Sequence, residues 1–594
     1  MSAYKAPLRD LRFVCDELLD SDGHYQKFPQ YSEVNRELRD AILEEAGKFA
    51  EQVLAPTNRN GDEQGCHFED GVVTTADGFK EAYQAFIDGG WSGLSMPEEF
   101  GGQNLPKSMD LVVSELFSQA NHAWAMCPGL TAGCRSTLLA HASAELQQTY
   151  LHKLTEGRWS GTMCLTEPQG GSDLSFLKTK AIDNGDDSYA VTGTKIFISS
   201  GEHDMSENII HLVLARLPDA PAGTKGISLF LVPKYLPDAN GEAGERNTVK
   251  AGSIEHKMGI NGSPTCVMNF DDAKGYLIGE PHKGLFCMFT FMNAARIGTA
   301  LEGASHSEVA LQGAMRYALD REAGRALTGV KSPERSADKL IVHPDVRKMI
   351  QTIRSFAEGN RAFAHFLGQL VDSEIHGDDQ QKAHAAGLLA LLTPIAKGFM
   401  TETGIESASL GIQVYGGHGY VREWGMEQNM RDSRISTLYE GTTGIQALDL
   451  LGRKVLPDGG EKFGQFLKMI AASLPEMDPQ FAAPLGAKLQ EWEQLTRGIG
   501  AKSMSDVNEM AAAATDYLMY SGYVVVAWFW GRMGTLAKAK AAHSDELFYR
   551  AKVATAQFYF QRLLPRTTSL KESIEAGSSS LMALSDEEFE QLLG

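Results

Sequence analysis

The run SYAVTGTKIFIS (188–199) decides the fold class. It is rich in Val, Ile, Phe and Tyr, so it reads as a strand. Three later runs share its texture: ENIIHLVLARL (207–217), GISLFLVPKY (226–235) and TCVMNFDDAKGYLIG (265–279). Gly, Asp, Asn and Pro separate them, as turn residues do. No helical pattern intervenes, which predicts a compact antiparallel barrel or sandwich, not a doubly wound sheet.

Both flanks of this block read as helical. On the N-terminal side, VNRELRDAILEEAGKFAEQVLAP runs to Pro56, and GFKEAYQAFIDGG stops at a glycine pair. On the C-terminal side, long helical patterns begin at about 285 and continue through QVYGGHGY (413–420). The fold class is therefore α+β and mostly α. We divide the chain into a leader (1–34), an N-terminal helical domain (35–160), a central β domain (161–282) and a helical bundle (283–455). A further helical domain (456–594) is entered through the linker LPDGGEK. In the leader, Leu8, Leu11, Val14, Leu18 and Leu19 share one helical face, so it has a side to dock.

Composition narrows the function classes. The net charge is −21 over 594 residues, which disfavours general nucleic-acid binding. Seven scattered cysteines include no CxxC pair, so neither a disulfide framework nor a zinc site is expected. The N-terminus lacks the apolar core of a signal peptide, and no run approaches the length of a membrane span. A cytoplasmic protein is the default expectation.

Five stretches carry chemistry. In GTMCLTEPQGGSDLS (161–175), hydroxyls at Thr166 and Ser172 flank a Glu-Pro-Gln-Gly-Gly turn whose backbone N–H groups suit a polar heteroaromatic ring or a phosphate. In GTKIFISSG (193–201), Phe197 offers a flat apolar face and Ser199 a hydroxyl two residues on. Arg296 and Arg321 lie along helical sequence, and the planar fork of Arg321 suits a pyrophosphate. The turn QVYGGHGY is not GxGxxG, so a Rossmann site is not supported. His418 within it reads as a local hydrogen-bonding residue. Finally, RDSRISTLYEGTTGIQ (431–446) places Glu440 after Leu438-Tyr439 and before a glycine-threonine turn. Ile445, Leu448 and Leu451 then have helical spacing, which puts Glu440 at the mouth of a helix. Its apolar neighbours tend to raise a carboxylate pKa by desolvation, which suits a general base. The chain has neither a HExxH metal motif nor a GxSxG elbow, and no metal is expected.

Taken together, these stretches resemble the acyl-CoA dehydrogenase family. CLTEPQGGSD resembles its signature CxTEPxxGSD, and VTGTKIFISSG its second flavin motif. ARIG, YALDREAG, QVYGGHGY and the YEGT stretch follow in the family's order. The resemblance covers roughly 35–455. It implies an N-terminal helical domain, a central β-barrel, a C-terminal four-helix bundle and bound FAD. The leader and extra C-terminal domain resemble a larger bacterial subgroup, which includes fatty acyl-CoA and 3-(methylthio)propanoyl-CoA dehydrogenases.

By the same resemblance, Glu440 matches the catalytic base. Met163, Leu165, Thr166, Gly171 and Ser172 match the flavin-contacting turn, Ser172 also meeting substrate. Phe197 and Ser199 stand where Trp and Thr are usual. Arg321 matches the arginine reaching the FAD pyrophosphate of a neighbouring subunit, and Gln413, Gly416 and Gly417 the turn receiving FAD from it. Thr442 matches a residue near the adenosine diphosphate. Arg296, Tyr439 and Gly441 match substrate-side positions. Gly444 and Gly324 depart from the pattern, replacing a usual Gln and Phe.

The resemblance implies α,β-dehydrogenation of an acyl-CoA to trans-2-enoyl-CoA, with electrons passing to electron-transfer flavoprotein from at least a homodimer. A medium- or long-chain fatty acyl-CoA of β-oxidation is the first substrate expected, and a short methylthio-acyl-CoA the second. An acyl-CoA oxidase, a flavin monooxygenase or DNA-associated member of the fold, and a non-catalytic helical scaffold are the rivals. Retention of YEGT and the charge of −21 argue against the monooxygenase and DNA-associated readings.

Overall fold

The computed structural model describes residues 4–544 and 546–593. Helices come first, then strands, then helices to the end, as the sequence texture predicts. The chain forms two compact units. One holds Pro29–Gly298 with residues 4–8, and the other holds Arg9–Phe28 with the residues from Thr299 onward.

In the first unit, Asn35, Asn121 and Ser143 start the helices Arg36–Phe49, His122–His141 and Ala144–Glu156 by accepting a backbone N–H. Phe49, Phe86, Phe117 and Trp124 pack edge-on or tilted between the helices. A short hairpin, His67–Glu69 with Val72–Thr74, interrupts this otherwise helical region. Its Asp70-Gly71 turn has both residues at positive φ, the chemistry that a two-residue hairpin turn needs.

The central sheet has seven strands: β1 (Trp159–Cys164), β2 (Lys180–Asp183), β3 (Tyr189–Ser199), β4 (Asn208–Arg216), β5 (Ile227–Pro233), β6 (Val249–Ile254) and β7 (Thr265–Ile278). Strand β7 pairs with β3, β3 with β2, β2 with β4, β4 with β5, and β5 again with β7. That ring is closed, so this is a barrel. One expectation is corrected: β1/β4 and β2/β4 pair in parallel, so the barrel is mixed. Alternation of side chains reports which face is buried, not the direction of the neighbouring strand. Val191, Val213, Phe230 and Phe270 fill one side of the sheet. Leu212, Leu214, Leu229 and Leu231 pack on the other side against Leu151, Leu154 and Phe291. Burial on both faces is why β4 and β5 read as continuous apolar runs.

The bundle helices are α1 (Gly284–Asp320), α2 (Pro344–His376), α3 (Asp379–Tyr415) and the short α4 (Thr443–Asp449). Asp378 and Gln381 form a capping box that starts α3. Gly303 of α1 meets the α3 backbone so closely that a Cβ would overlap the Met400 carbonyl. Helix α5 (Asn508–Ala541) lies against α2 and α3. A Cβ at Gly522 would overlap Phe399, and one at Gly359 would come within 2.6 Å of Trp530 Nε1. Trp530 donates its indole N–H to the Ser355 carbonyl at 3.0 Å. Helix Gly284–Asp320 and the helical run Asp379–Tyr420 are long and apolar enough to cross a bilayer, against the sequence expectation. In the second, 72% of that window is buried inside the protein, as in a core helix.

The leader residues 9–28 belong to this second unit. Leu11, Val14 and Leu18 are buried, and Asp10 enters a buried ionic cluster. Arg361 donates to Asp10 at 2.5 Å and to Glu308 at 3.0 Å, while Lys552 pairs with Asp10 and, at 2.7 Å, with Glu358. Burial pushes the Asp10 carboxyl up, but the facing Lys552 and Arg361 overcome it and hold it at about 2.

Candidate active site

The sequence-predicted residues fall into two sets. In the first unit, the turn after β1 folds back on itself: Glu167 and Gly170 exchange backbone hydrogen bonds at 3.0 and 3.1 Å. The Glu167 side chain turns under the loop and is only 4% exposed. It accepts from Lys195 Nζ at 2.8 Å, from the Thr179 hydroxyl at 2.5 Å, and from the Thr179 and Lys178 backbone N–H groups. Lys195 also donates to the Leu165 carbonyl at 3.1 Å. Burial raises the Glu167 carboxyl, and Lys195 with these donors brings it down to about 2. The pair ties the turn to β3. Gly171 and Ser172 are left exposed, with Met163, Leu165 and Thr166 half-buried. A Cβ at Gly171 would press on Thr166 at 3.0 Å.

Phe197 sits in a β-bulge where β3 shifts register against β7. Its φ is +58° and the residue is 59% exposed, although Lys195 two residues earlier is fully buried. The bulge breaks strand alternation and re-aims the ring. A left-handed, outward Phe costs roughly 1–2 kcal/mol of backbone energy and leaves apolar surface wet. Ser199 is half-buried on the same strand, and Arg296 is buried in the same unit.

The second set centres on Glu440. A 3-10 turn, Arg434–Thr437, delivers Leu438 and Tyr439. Glu440 follows at φ +56° and Gly441 at φ +90°. Thr442 then caps α4, its hydroxyl accepting from the Ile445 N–H at 3.3 Å. Glu440, half-buried, does stand at a helix mouth. Sequence reasoning missed what holds this turn. Gln446 Nε2 donates to the Glu440 carbonyl at 2.9 Å, and Lys397 Nζ to the Gly441 carbonyl at 2.6 Å. The Thr443 hydroxyl donates to Glu402 at 2.6 Å, and the Tyr439 hydroxyl donates to Glu302. Burial, then the charges of Glu302 and Glu440, push the Tyr439 phenol up, so it stays protonated. Lys397 and Glu402 sit five residues apart on α3. A Lys in a helical pattern gives no sign that its partner is a carbonyl 44 residues away.

Arg321, exposed, lies one residue past the end of α1. Gly324 has φ +68°, a conformation a Phe would adopt only at a cost. Gln413, Gly416 and Gly417 are exposed at the end of α3, and a Cβ on either glycine would meet nothing within 4 Å. His418 stacks on Trp424 at 4.2 Å and shares a 2.9 Å hydrogen bond with the Tyr317 hydroxyl, the local role expected of it.

Matching family models cover most of this architecture. The acyl-CoA dehydrogenase N-terminal, middle and C-terminal domain models match 36–158, 162–273 and 282–456, and an acetyl-CoA dehydrogenase C-terminal-like model matches 463–585. The chain belongs to the acyl-CoA dehydrogenase family, FAD-dependent oxidoreductases acting on CH–CH bonds. It is 42% identical to the 3-methylmercaptopropionyl-CoA dehydrogenase of Ruegeria pomeroyi, over 98% of this chain and 100% of that one. It is 33% identical to the broad-specificity linear acyl-CoA dehydrogenase FadE5 of Mycobacterium tuberculosis, over 99% and 100%. An acyl-CoA dehydrogenase from Bacillus anthracis, solved in complex with FAD, shares the fold with a TM-score of 0.74 at 20% identity, over 94% of this chain and 91% of that one.

The residues present fit FAD. The outward Phe197 ring on a left-handed backbone offers a flat ring a partner. In the first unit a Cβ at Gly171 would press on Thr166, and in the second unit Gly416 and Gly417 leave their backbone open.

Proposed function

We propose that Glu440 is the base of an α,β-dehydrogenation that converts a saturated acyl-CoA thioester to the trans-2-enoyl-CoA. The observation that carries this reading is the half-buried carboxylate in a left-handed turn whose two following carbonyls are both tied down. Bound FAD supplies the acceptor for the β-hydride. The chain's own part is to take the α-proton on the Glu440 carboxylate. It also offers the Glu440 backbone N–H as one donor to the thioester oxygen as charge builds there. A fixed base gains from orientation that a mobile one loses. Met163, Leu165, Thr166, Gly171, Ser172, Phe197 and Ser199 are assigned to the flavin. Arg321, Gln413, Gly416, Gly417 and Thr442 are assigned to its diphosphate end across a homodimer. Arg296, Tyr439 and Gly441 are assigned to the substrate side. The five-part domain division, and electron-transfer flavoprotein as acceptor, belong to the same proposal.

For the acyl group, the identity of 42% to a dehydrogenase of 3-methylmercaptopropionyl-CoA supports a short methylthio thioester. The 33% identity to a broad-specificity linear acyl-CoA enzyme supports straight-chain fatty acyl-CoAs as the second reading. A series of acyl-CoAs that includes the methylthio thioester, read by bleaching of bound flavin, separates the two. In Glu440→Gln, flavin stays bound and no thioester bleaches it. Bleaching at the normal rate in that variant removes Glu440 from the reaction. Peroxide released during turnover would point to an oxidase instead.

A further inference from the structure

We propose that Lys397 is a positioning residue: its buried ammonium, with Gln446, holds the backbone at 440–441 in the conformation that aims the Glu440 carboxylate. The inference rests on the reading of Glu440 as the base.

Glu440 is a non-glycine residue at φ +56°, followed by Gly441 at φ +90°. A left-handed Glu relaxes to an ordinary conformation unless its surroundings over-determine it. Rotation out of that conformation swings the two peptide carbonyls that follow. Both are held. The Glu440 carbonyl accepts from Gln446 at 2.9 Å, and the Gly441 carbonyl accepts from Lys397 at 2.6 Å. Gln446 and Lys397 are fully buried, so bulk water is not at hand to replace either donor. The Lys397 bond is charge-assisted and short, which makes it the stronger of the two.

The same helix fixes the far side of the turn. Glu402 accepts from the Thr443 hydroxyl at 2.6 Å, at the first residue of α4. Helix α3 therefore grips the turn at 441 and at 443, while α4 reaches back to 440. Lys397 has no exposed surface, and neither have Leu392, Ile395, Ala396 and Phe399 on the same helix. The Lys397 ammonium thus places a charge-assisted hydrogen bond on the backbone carbonyl beside the base.

The test compares Lys397→Met, Lys397→Arg, Gln446→Leu and Glu440→Gln as holoenzymes. Two readouts are taken. One is anaerobic single-turnover flavin reduction by 3-(methylthio)propanoyl-CoA and by octanoyl-CoA. The other is hydrogen–deuterium exchange of the 438–446 segment. In Lys397→Met the reduction rate at saturating thioester falls at least tenfold, apparent affinity shifts less than threefold, and 438–446 exchanges faster. Lys397→Arg recovers to within threefold of the parent. A parental reduction rate in Lys397→Met, or a slowed rate with unchanged exchange, overturns the proposal. If Lys397→Met does not fold, Gln446→Leu decides: a rate loss with faster exchange supports the clamp, and parental values for both overturn it. Glu440→Gln keeps the two readings apart. Flavin reduction in Glu440→Gln sinks the base assignment, whatever exchange reports about the clamp.

Discussion

Lys195 and Glu167 form a buried ion pair with 2.8 Å between Nζ and Oε1, and that pair joins the turn after β1 to β3. Both side chains are inside the barrel unit, so neither is screened by water. Lys195→Met would leave a buried carboxylate without its cation. The expected loss is about 3–5 kcal/mol of stability, as for other broken buried pairs. Urea unfolding measures it. The double variant Lys195→Met/Glu167→Gln recovers part of the loss. A single variant within 1 kcal/mol of the parent would mean that the pair does not hold the turn.

Acid should test the same carboxyl. Glu167 is held at about 2 against an ordinary 4.5, and Asp10 at about 2 against 3.8. The unfolded chain binds these protons first as pH falls. Their contribution is therefore complete above the unfolded values and is lost as pH drops through 4.5 toward about 2. Urea midpoints taken from pH 6 to pH 3 should fall steeply in the parent and less in Glu167→Gln. Parallel slopes would contradict the assignment.

Phe197 separates stability from cofactor binding. Phe197→Gly relieves a left-handed backbone and removes an exposed ring, so the apoprotein should be unchanged or gain about 1 kcal/mol. Flavin should dissociate faster from it, read by dialysis and visible absorbance. Equal flavin retention would remove Phe197 from the flavin site.

Two glycines make opposite predictions. Gly522→Ala places a methyl against Phe399 at the α5 crossing and should cost about 1–3 kcal/mol. Gly417→Ala meets open space and should leave the melt unchanged while weakening FAD retention. Differential scanning and flavin content distinguish them. Loss of melt without loss of flavin in Gly417→Ala would reverse its reading.

Much of this was legible in the sequence, for reasons that can be named. The strand runs around Val191 and Leu212 are β-branched and apolar, so the barrel announced itself. The YEGT turn was placed at a helix mouth because Ile445, Leu448 and Leu451 repeat at helical spacing. The parallel pairing of β1 with β4 was hidden, because pattern encodes faces and not direction. The exposed setting of Phe197 was hidden too. A bulge is a property of two strands, and only the register of β7 against β3 reveals it. Lys397 and Glu402 left no signal, since a residue bonded to distant backbone or to a threonine looks like any polar position on a helix.

The ionic cluster around Asp10 has a consequence for how the polypeptide matures. Asp10 emerges from the ribosome first; its partner Arg361 is made 351 residues later, and Lys552 542 residues later. The cluster is complete only once both have been made. Closure of that half of the molecule is thus a late step, set by the pace of translation and not by local helix formation.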